Sequence, residues 1–526
     1  MTDAPQDAEA AYAAGQAAQR DSDFEAAAGH YRRAIALDPG HAAALRDLAF
    51  VLLMQSRFFE AEAAYRRALE VHPRLRSARA NLAYVLSVTG RLDEALALYR
   101  DLLARTGDAP DIFSSYLFAL THSSKVTREA VYAEHLRFGE AVARRAPPPA
   151  PHLNTPDPER RLKIGYVSAD LGRHIAGRMI EGVLPAHDRR LVEVTVYDNA
   201  PANERPAIPT GHVDHWIQVR PFDDAAFAQR VRADGIDILV DLSGHTGGNR
   251  LATFAYKAAP VQASWFGYPF TTGVSAIDYR ICDAFQLGPG TAELLVEQPF
   301  VIEGASVAFL PTDDPPPAPP PSVANGHVTF GSMSSLDKVD EAVLALWAEL
   351  LKAVPSSRLL MKARGLHDPR LQAHFAQAIT RHGVAADRLA FEGGSPVRAF
   401  LESFSRIDIA LDSFPYTGGS TTRYTLWMGV PVITLEGAAL YERFSGAILR
   451  QIGLAECVAS DPAGYVAAAA ALAGDPSRLL ELRKALRPRL KASALCDVPG
   501  HARRLEAAYR EMWRRWCARQ RDTAGP

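Results

Sequence analysis

The stretch Leu411–Leu435, "LDSFPYTGGSTTRYTLWMGVPVITL", carries one full step of an α/β fold. An apolar strand ends near Asp412, Gly418-Gly419 open a loop, "RYTLWMG" has helix composition, and a second strand follows Pro431. The loop poses a chemical alternative. Glycines let the backbone approach a ligand closely, and a helix N-terminus offers unpaired N–H groups with partial positive charge. Ser420, Thr421 and Thr422 add hydroxyl donors, so the segment suits a phosphate or pyrophosphate. It suits equally a plain N-cap, in which one Ser or Thr satisfies the helix and nothing binds. Local chemistry leaves both open.

Working outward, the same alternation of strand and helix fills both neighbouring regions. "HVTFGS", "SRLLMKA", "RLAFEGG", "DIALDSF" and "PVITLEG" read as strands around the opening stretch, and "RLKIGYVSAD", "VEVTVYD" and "GIDILVDLSG" as strands before it. Runs of Val, Ile and Leu bounded by Gly or Asp, without strict alternation, suggest parallel strands covered on both faces. Two Pro-rich breaks, "APPPAPHLNTPDPER" at 146–160 and "PTDDPPPAPPPSVANG" at 311–326, cannot continue a helix and read as linkers. They predict two Rossmann-like halves, 161–310 and 327–500, followed by a C-terminal helix and tail, 501–526.

The region before the first linker, 1–145, is helical and repetitive. Tyr31, Tyr65 and Tyr99 recur at intervals of 34, as do Phe24, Phe58 and Leu92, and Ala27, Ala61 and Ala95. The turns "DPG", "HPR" and "TGD" keep the same interval. A 34-residue period with small residues where paired helices approach resembles the tetratricopeptide repeat, whose stacked helices form a curved surface that binds peptides. The pattern degrades over 112–145, which reads as a cap on the array. The predicted fold class is therefore α plus α/β.

Composition excludes several classes. The formal net charge is −2 and hydrophobic residues make up 48% of the 526. There is no basic footprint for bulk nucleic-acid binding, and the material for large cores is ample. The acidic start "MTDAPQDAEA" is unlike a signal peptide, and "YVAAAAALAG" is too short to span a bilayer. Cys282, Cys457, Cys496 and Cys517 lack CxxC spacing, which suggests neither zinc nor a disulfide framework. A cytoplasmic protein is the expectation.

Two further side chains occupy positions where chemistry is expected. Lys338 follows the strand "HVTFGS", where a lysine can neutralise charge on a phosphate leaving group or simply be solvated. His174 follows the first strand of the other half, where a structural histidine is the plainer alternative. No acidic pair forms a DxD-like loop, since Asp313-Asp314 lie in the Pro-rich linker, so the sequence lends no support to a metal-dependent transferase.

The strings "IGYVSADLGRH", "APVQASWFGYPFTTG", "FGSMSSLDK", "RLLMKA", "LDSFPYTGGSTT" and "LWMGVPVITL", behind such repeats, resemble the O-linked N-acetylglucosamine transferase family with its SPINDLY-like branches. The resemblance implies a GT-B pair of Rossmann-like domains and a nucleotide-sugar donor, UDP-N-acetylglucosamine by family. It also implies no metal or other cofactor, and inverting transfer to Ser or Thr of a protein docked by the repeats. By position it makes His174 and Lys338 catalytic, and assigns the donor to Gly419, Ser420, Thr421, Thr422 and Tyr424, with Phe400, Ser395 and Ser335. Gly267, Pro269 and His245 fall to the cleft that takes sugar and acceptor.

The chain also departs from the family pattern. Tyr424 stands where an acid usually binds the donor ribose, Phe400 where a histidine commonly packs on the nucleobase, and Arg178 where a second histidine is usual. A phenyl ring can still stack on a base, but a tyrosine cannot accept from two ribose hydroxyls. Two alternatives follow: a transferase using another donor, such as a CMP-linked nonulosonate, on flagellin or another surface protein; and a repeat scaffold whose transferase half has decayed.

Overall fold

A computed structural model describes residues 4–172, 175–201, 210–311 and 313–524. Eight helices come first: α1 (Ala4–Arg20), α2 (Phe24–Leu37), α3 (Ala42–Met54), α4 (Phe58–Val71), α5 (Arg76–Val88), α6 (Leu92–Thr106), α7 (Pro110–Leu120) and α8 (Arg128–Ala143). The residues that set the 34-residue period are the ones the helix pairs bury. Ala27, Ala61 and Ala95 are fully buried, and Tyr31, Tyr65 and Tyr99 nearly so. Small size is required there: a Cβ on Gly15 would lie 2.5 Å from the Tyr31 ring.

Among the described residues seven strands form the first sheet: β1 (Leu162–Ser168), β2 (Val192–Asp198), β3 (His215–Gln218), β4 (Ile238–Asp241), β5 (Val261–Trp265), β6 (Tyr279–Asp283) and β7 (Gln298–Ile302). Their order is β3-β2-β1-β4-β5-β6-β7, parallel throughout, with Ile164 opposite Ile238 across the centre. The second sheet comprises β8 (Thr329–Ser332), β9 (Arg358–Lys362), β10 (Leu389–Glu392), β11 (Ile409–Leu411), β12 (Val432–Leu435) and β13 (Val458–Ala459), in the order β10-β9-β8-β11-β12-β13. Both orders are the doubly wound pattern, in which the winding reverses beside the first strand. That reversal leaves a crevice at the strands' carboxyl ends.

The chain divides into two compact units. One holds residues 1–123, 332–352 and 358–396; the other holds 124–331, 353–357 and 397–526. In the first, the repeats pack directly on segments of the second α/β half. Arg364 donates from Nε to Ser56 Oγ (3.2 Å) and from Nη2 to the Met54 carbonyl (3.2 Å), and the Arg370 guanidinium lies 4.9 Å above the Phe59 ring. In the second, α8 is held by the loop after β5. A Cβ on Gly139 would sit 1.7 Å from the Gly273 carbonyl, and His135 Nε2 bonds the Tyr268 hydroxyl at 2.9 Å. The predicted boundary at 145 therefore does not coincide with this division, because α8 packs with the first sheet's loops.

The C-terminal helix, Val498–Ala524, folds back onto the first sheet. Leu505, Tyr509, Met512 and Trp513 are fully buried in one cluster with Ile164, Val194 and Val240. Burial of an apolar side chain the size of Leu505 or Met512 contributes about 1.5–3 kcal/mol by leaving water. Among the described residues no helix is long and apolar enough to cross a membrane.

Candidate active site

In the second sheet β8 and β11 are neighbours, so the reversal of winding falls between them. The loop after β11 is pinned by Asp412, whose carboxylate accepts from the N–H groups of Ser413 (3.1 Å) and Gly418 (2.9 Å) and from Thr434 Oγ1 (2.8 Å). Gly418 has no room for a side chain: a Cβ would lie 2.5 Å from Thr422 Oγ1 and 3.0 Å from Asp412 Oδ1. Ser445 Oγ donates to the Gly418 carbonyl at 2.8 Å and closes the other side.

The helix that follows, Ser420–Trp427, has Gly419 at its N-cap, and no side chain caps it. The three hydroxyls predicted to serve either as cap or as ligand separate here. Thr422 Oγ1 is spent on Ser445 Oγ at 2.7 Å, while Ser420 and Thr421 are half-buried at the first turn. No described Ser or Thr side chain therefore serves as the plain cap. An uncapped helix start beside two hydroxyls and a tightly built glycine loop is an anion-receptive arrangement.

Tyr424 is buried, its ring edge-on to Phe309 with centroids 5.1 Å apart. Phe400 is half-buried and edge-on to Phe404 at 5.2 Å, which leaves part of its ring accessible. Sequence reading passed over Arg423. It lies four residues after Gly419, and helical side chains lean toward the N-terminus, which returns its guanidinium to the loop. Nη1 lies 3.8 Å from where a Gly419 Cβ would be. The available signal was a lone arginine among the buried residues of a short helix.

In the other unit, Lys338 ends the 3-10 turn Leu336–Lys338, which Ser335 opens. The Lys338 N–H donates to the Ser335 carbonyl at 3.1 Å; Lys338 is half-buried and Ser335 exposed. The turn packs against α5, and His122 Nδ1 approaches Asp337 Oδ2 at 3.9 Å. Burial pushes the His122 imidazole down to about 4, partly offset by Asp337 and reinforced by Lys338. It is neutral at physiological pH. Ser395, also in this unit, is exposed.

At the first sheet's reversal, β4 ends on Asp241, which accepts from the N–H groups of Ser243 (3.1 Å) and Gly244 (2.9 Å) and from Ser264 Oγ (3.0 Å). Burial pushes its carboxyl up to about 6, opposed by these bonds. His245 is buried, with Nε2 bonded to the Thr272 carbonyl at 3.0 Å, and burial holds its ring well below the usual histidine range. A Cβ on Gly267 would meet the Leu242 carbonyl at 1.7 Å, so the loop containing Gly267 and the buried Pro269 presses onto the end of β4. His174 lies outside the described residues.

Two doubly wound parallel sheets, the second carrying an anion-receptive loop at its crevice, define the GT-B class of fold. The chain belongs to glycosyl transferase family 41, whose model matches residues 101–294 and 322–505. Tetratricopeptide-repeat models match 18–76 and 51–110. The chain is 34% identical over 422 residues, 78% of its length, to a probable UDP-N-acetylglucosamine–peptide N-acetylglucosaminyltransferase SPINDLY of Arabidopsis thaliana. It is 23% identical over 524 residues to the UDP-N-acetylglucosamine–peptide N-acetylglucosaminyltransferase of Caenorhabditis elegans. It covers 46% and 45% of those two proteins, so it spans about half the length of the curated relatives it matches. A lysine-to-methionine mutant of Thermobaculum terrenum O-GlcNAc transferase superposes with TM-score 0.92 at 34% identity, with each chain covered in full.

Proposed function

We propose that this chain is a protein O-glycosyltransferase that moves a sugar from a nucleotide-sugar donor, UDP-N-acetylglucosamine in the first instance, to Ser or Thr of a protein acceptor docked by the repeats. The observation that carries this reading is the uncapped helix start at Ser420 and Thr421, at the second sheet's crevice, in a family 41 chain. The acceptor hydroxyl attacks the anomeric carbon as the bond from that carbon to the phosphate oxygen breaks, with inversion. The proton goes to a base, for which His174 is the candidate, or to an oxygen of the departing phosphate. Lys338 and the N–H groups around Ser420 and Thr421 stabilise the negative charge on the leaving group. In this scheme fixed cationic and N–H donors do the work that a metal ion does in other transferases.

A second reading is favoured by one observation. The ring of Tyr424, where the family resemblance places a ribose-binding acid, packs on Phe309 and supplies no carboxylate. A different donor, such as a CMP-linked nonulosonate placed on flagellin or another surface protein, accommodates that change.

The test is mass spectrometry of proteins co-expressed with the chain. The added mass identifies the sugar, the modified peptide identifies the acceptor, and Lys338→Ala lowers transfer by about 10²–10³-fold at unchanged thermal stability. Full activity in that variant removes Lys338 from the mechanism. Failure to bind any nucleotide sugar, with acceptor binding intact, leaves a repeat scaffold.

A further inference from the structure

Among the described residues three arginines are almost wholly buried: Arg280 (2% exposed), Arg423 (3%) and Arg483 (4%). Two are spent on the fold. The Arg280 guanidinium donates to Ser264 Oγ at 2.9 Å and to the Tyr268 carbonyl, and that of Arg483 to the carbonyls of Ile407 and Phe404. Arg423 differs. Its Nε is buried without a partner, as that of Arg280 is, but for Arg423 no described residue accepts a hydrogen bond from any guanidinium nitrogen or lies within ion-pair distance of it. Asp283, at the carboxyl end of β6, acts on it electrostatically without accepting a hydrogen bond from it, and the Cys496 thiol, which burial pushes up to about 11, is neutral. Burial, partly opposed by Asp283, pushes its pKa down to about 10, which still leaves it cationic at neutral pH.

A buried cation without a partner is costly to stability. This one lies one helical turn inside the uncapped helix and leans over Gly419, beside the half-buried Ser420 and Thr421. Fixed donors from that helix start and a planar five-donor fork converge on one place. Such a fork matches carboxylate and phosphate oxygens two at a time.

We propose that Arg423 is a specificity-determining donor contact, whose guanidinium takes an anionic oxygen of the nucleotide sugar, either of its phosphate or of a carboxylate on the sugar itself. The inference rests on the proposed transferase reading and names a residue of the same site. With Tyr424 beside it in place of an acid, this end of the site favours donors with more negative charge.

The decisive experiment is calorimetric titration of the full chain and of Arg423→Met, which keeps the volume and removes the charge, with Arg423→Lys alongside. The probes are uridine, UDP and CMP-N-acetylneuraminate. The expected result is about 10- to 100-fold weaker binding to Arg423→Met of at least one anionic probe, with uridine unchanged. Melting is expected at the parent temperature or above, because an uncompensated charge has left the interior. Loss of UDP affinity assigns the phosphate, and loss confined to CMP-N-acetylneuraminate assigns the sugar carboxylate. Arg423→Lys should recover part of the affinity.

Parental affinity for every probe in Arg423→Met overturns the assignment and leaves the transferase reading standing. An equal loss for uridine, or failure of the variant to fold, makes the residue structural and also overturns it. A parent protein that binds none of the probes overturns the transferase reading and this inference with it.

Discussion

The loops after β4 and β11 are built to one plan and finish differently. Each leaves the fourth strand of a doubly wound sheet, and each begins with a buried aspartate accepting from a glycine N–H, Asp241 from Gly244 and Asp412 from Gly418. The first loop then closes. His245 is buried on the Thr272 carbonyl, and the loop containing Gly267 presses on the end of the strand. The second loop stays open, ending at an uncapped helix with half-buried hydroxyls and a buried guanidinium that nothing in the described fold satisfies. The same backbone device makes a sealed wall in one sheet and an anion-receptive edge in the other; the residues after the glycine decide which.

The sharpest way to break the comparison is Gly418→Ala. Its Cβ would collide with Thr422 and Asp412, and overpacking of this kind costs about 1–3 kcal/mol. Denaturant titration should show that loss together with at least tenfold weaker UDP binding. Gly419→Ala, whose Cβ would meet nothing closer than Phe444 at 3.4 Å, should stay within about 0.5 kcal/mol of the parent. Equal destabilisation by both would mean the loop is not pinned at Gly418.

A smaller and pH-dependent effect probes the sealed loop. The Asp241 carboxyl titrates near 6 in the fold, above the unfolded value of about 3.9. Its contribution is therefore fully present below about pH 4 and is lost as pH rises through 6, amounting to about 2–3 kcal/mol. Asp241→Asn should remove that part of the difference between urea melts at pH 4 and pH 7. An unchanged pH difference would show that the carboxyl is not held protonated.

The smallest effect is expected at Tyr424→Phe. The ring packs on Phe309 and the hydroxyl has no hydrogen-bond partner among the described residues. Binding of UDP should change by less than about twofold. A fivefold loss would make the hydroxyl a donor contact and separate the two loops further.

Much of the architecture was legible because it depends on local pattern. The 34-residue period marks the residues that two adjacent helices bury, and every apolar run read as a strand is one. Strands β3, β5, β6, β7 and β13 were not read individually. β6, "YRICD", is fully buried yet carries Arg280 and Asp283, whose charges are satisfied by partners far along the chain, Ser264 and Ser306 among them. β3 and β7 are edge strands with little burial, and β13 has two residues. At the candidate site, the glycine-rich loop and Lys338 could be read because chemistry at strand ends follows a local rule. The separation of Thr422 from Ser420 and Thr421 could not, since it depends on Ser445, 23 residues further on.

The sequence by itself determined the repeats, the two parallel α/β halves and the anion-suited composition of "YTGGSTT", because periodicity, burial pattern and helix-end chemistry are set by near neighbours. Only the tertiary structure decided that the helix start is uncapped among the described residues, that the loop around His245 is sealed, that the C-terminal helix completes the first sheet's core, and that Arg423 is buried with no partner among the described residues. Those facts depend on which groups distant in sequence arrive to satisfy a polar atom. For Arg423, among the described residues, none does.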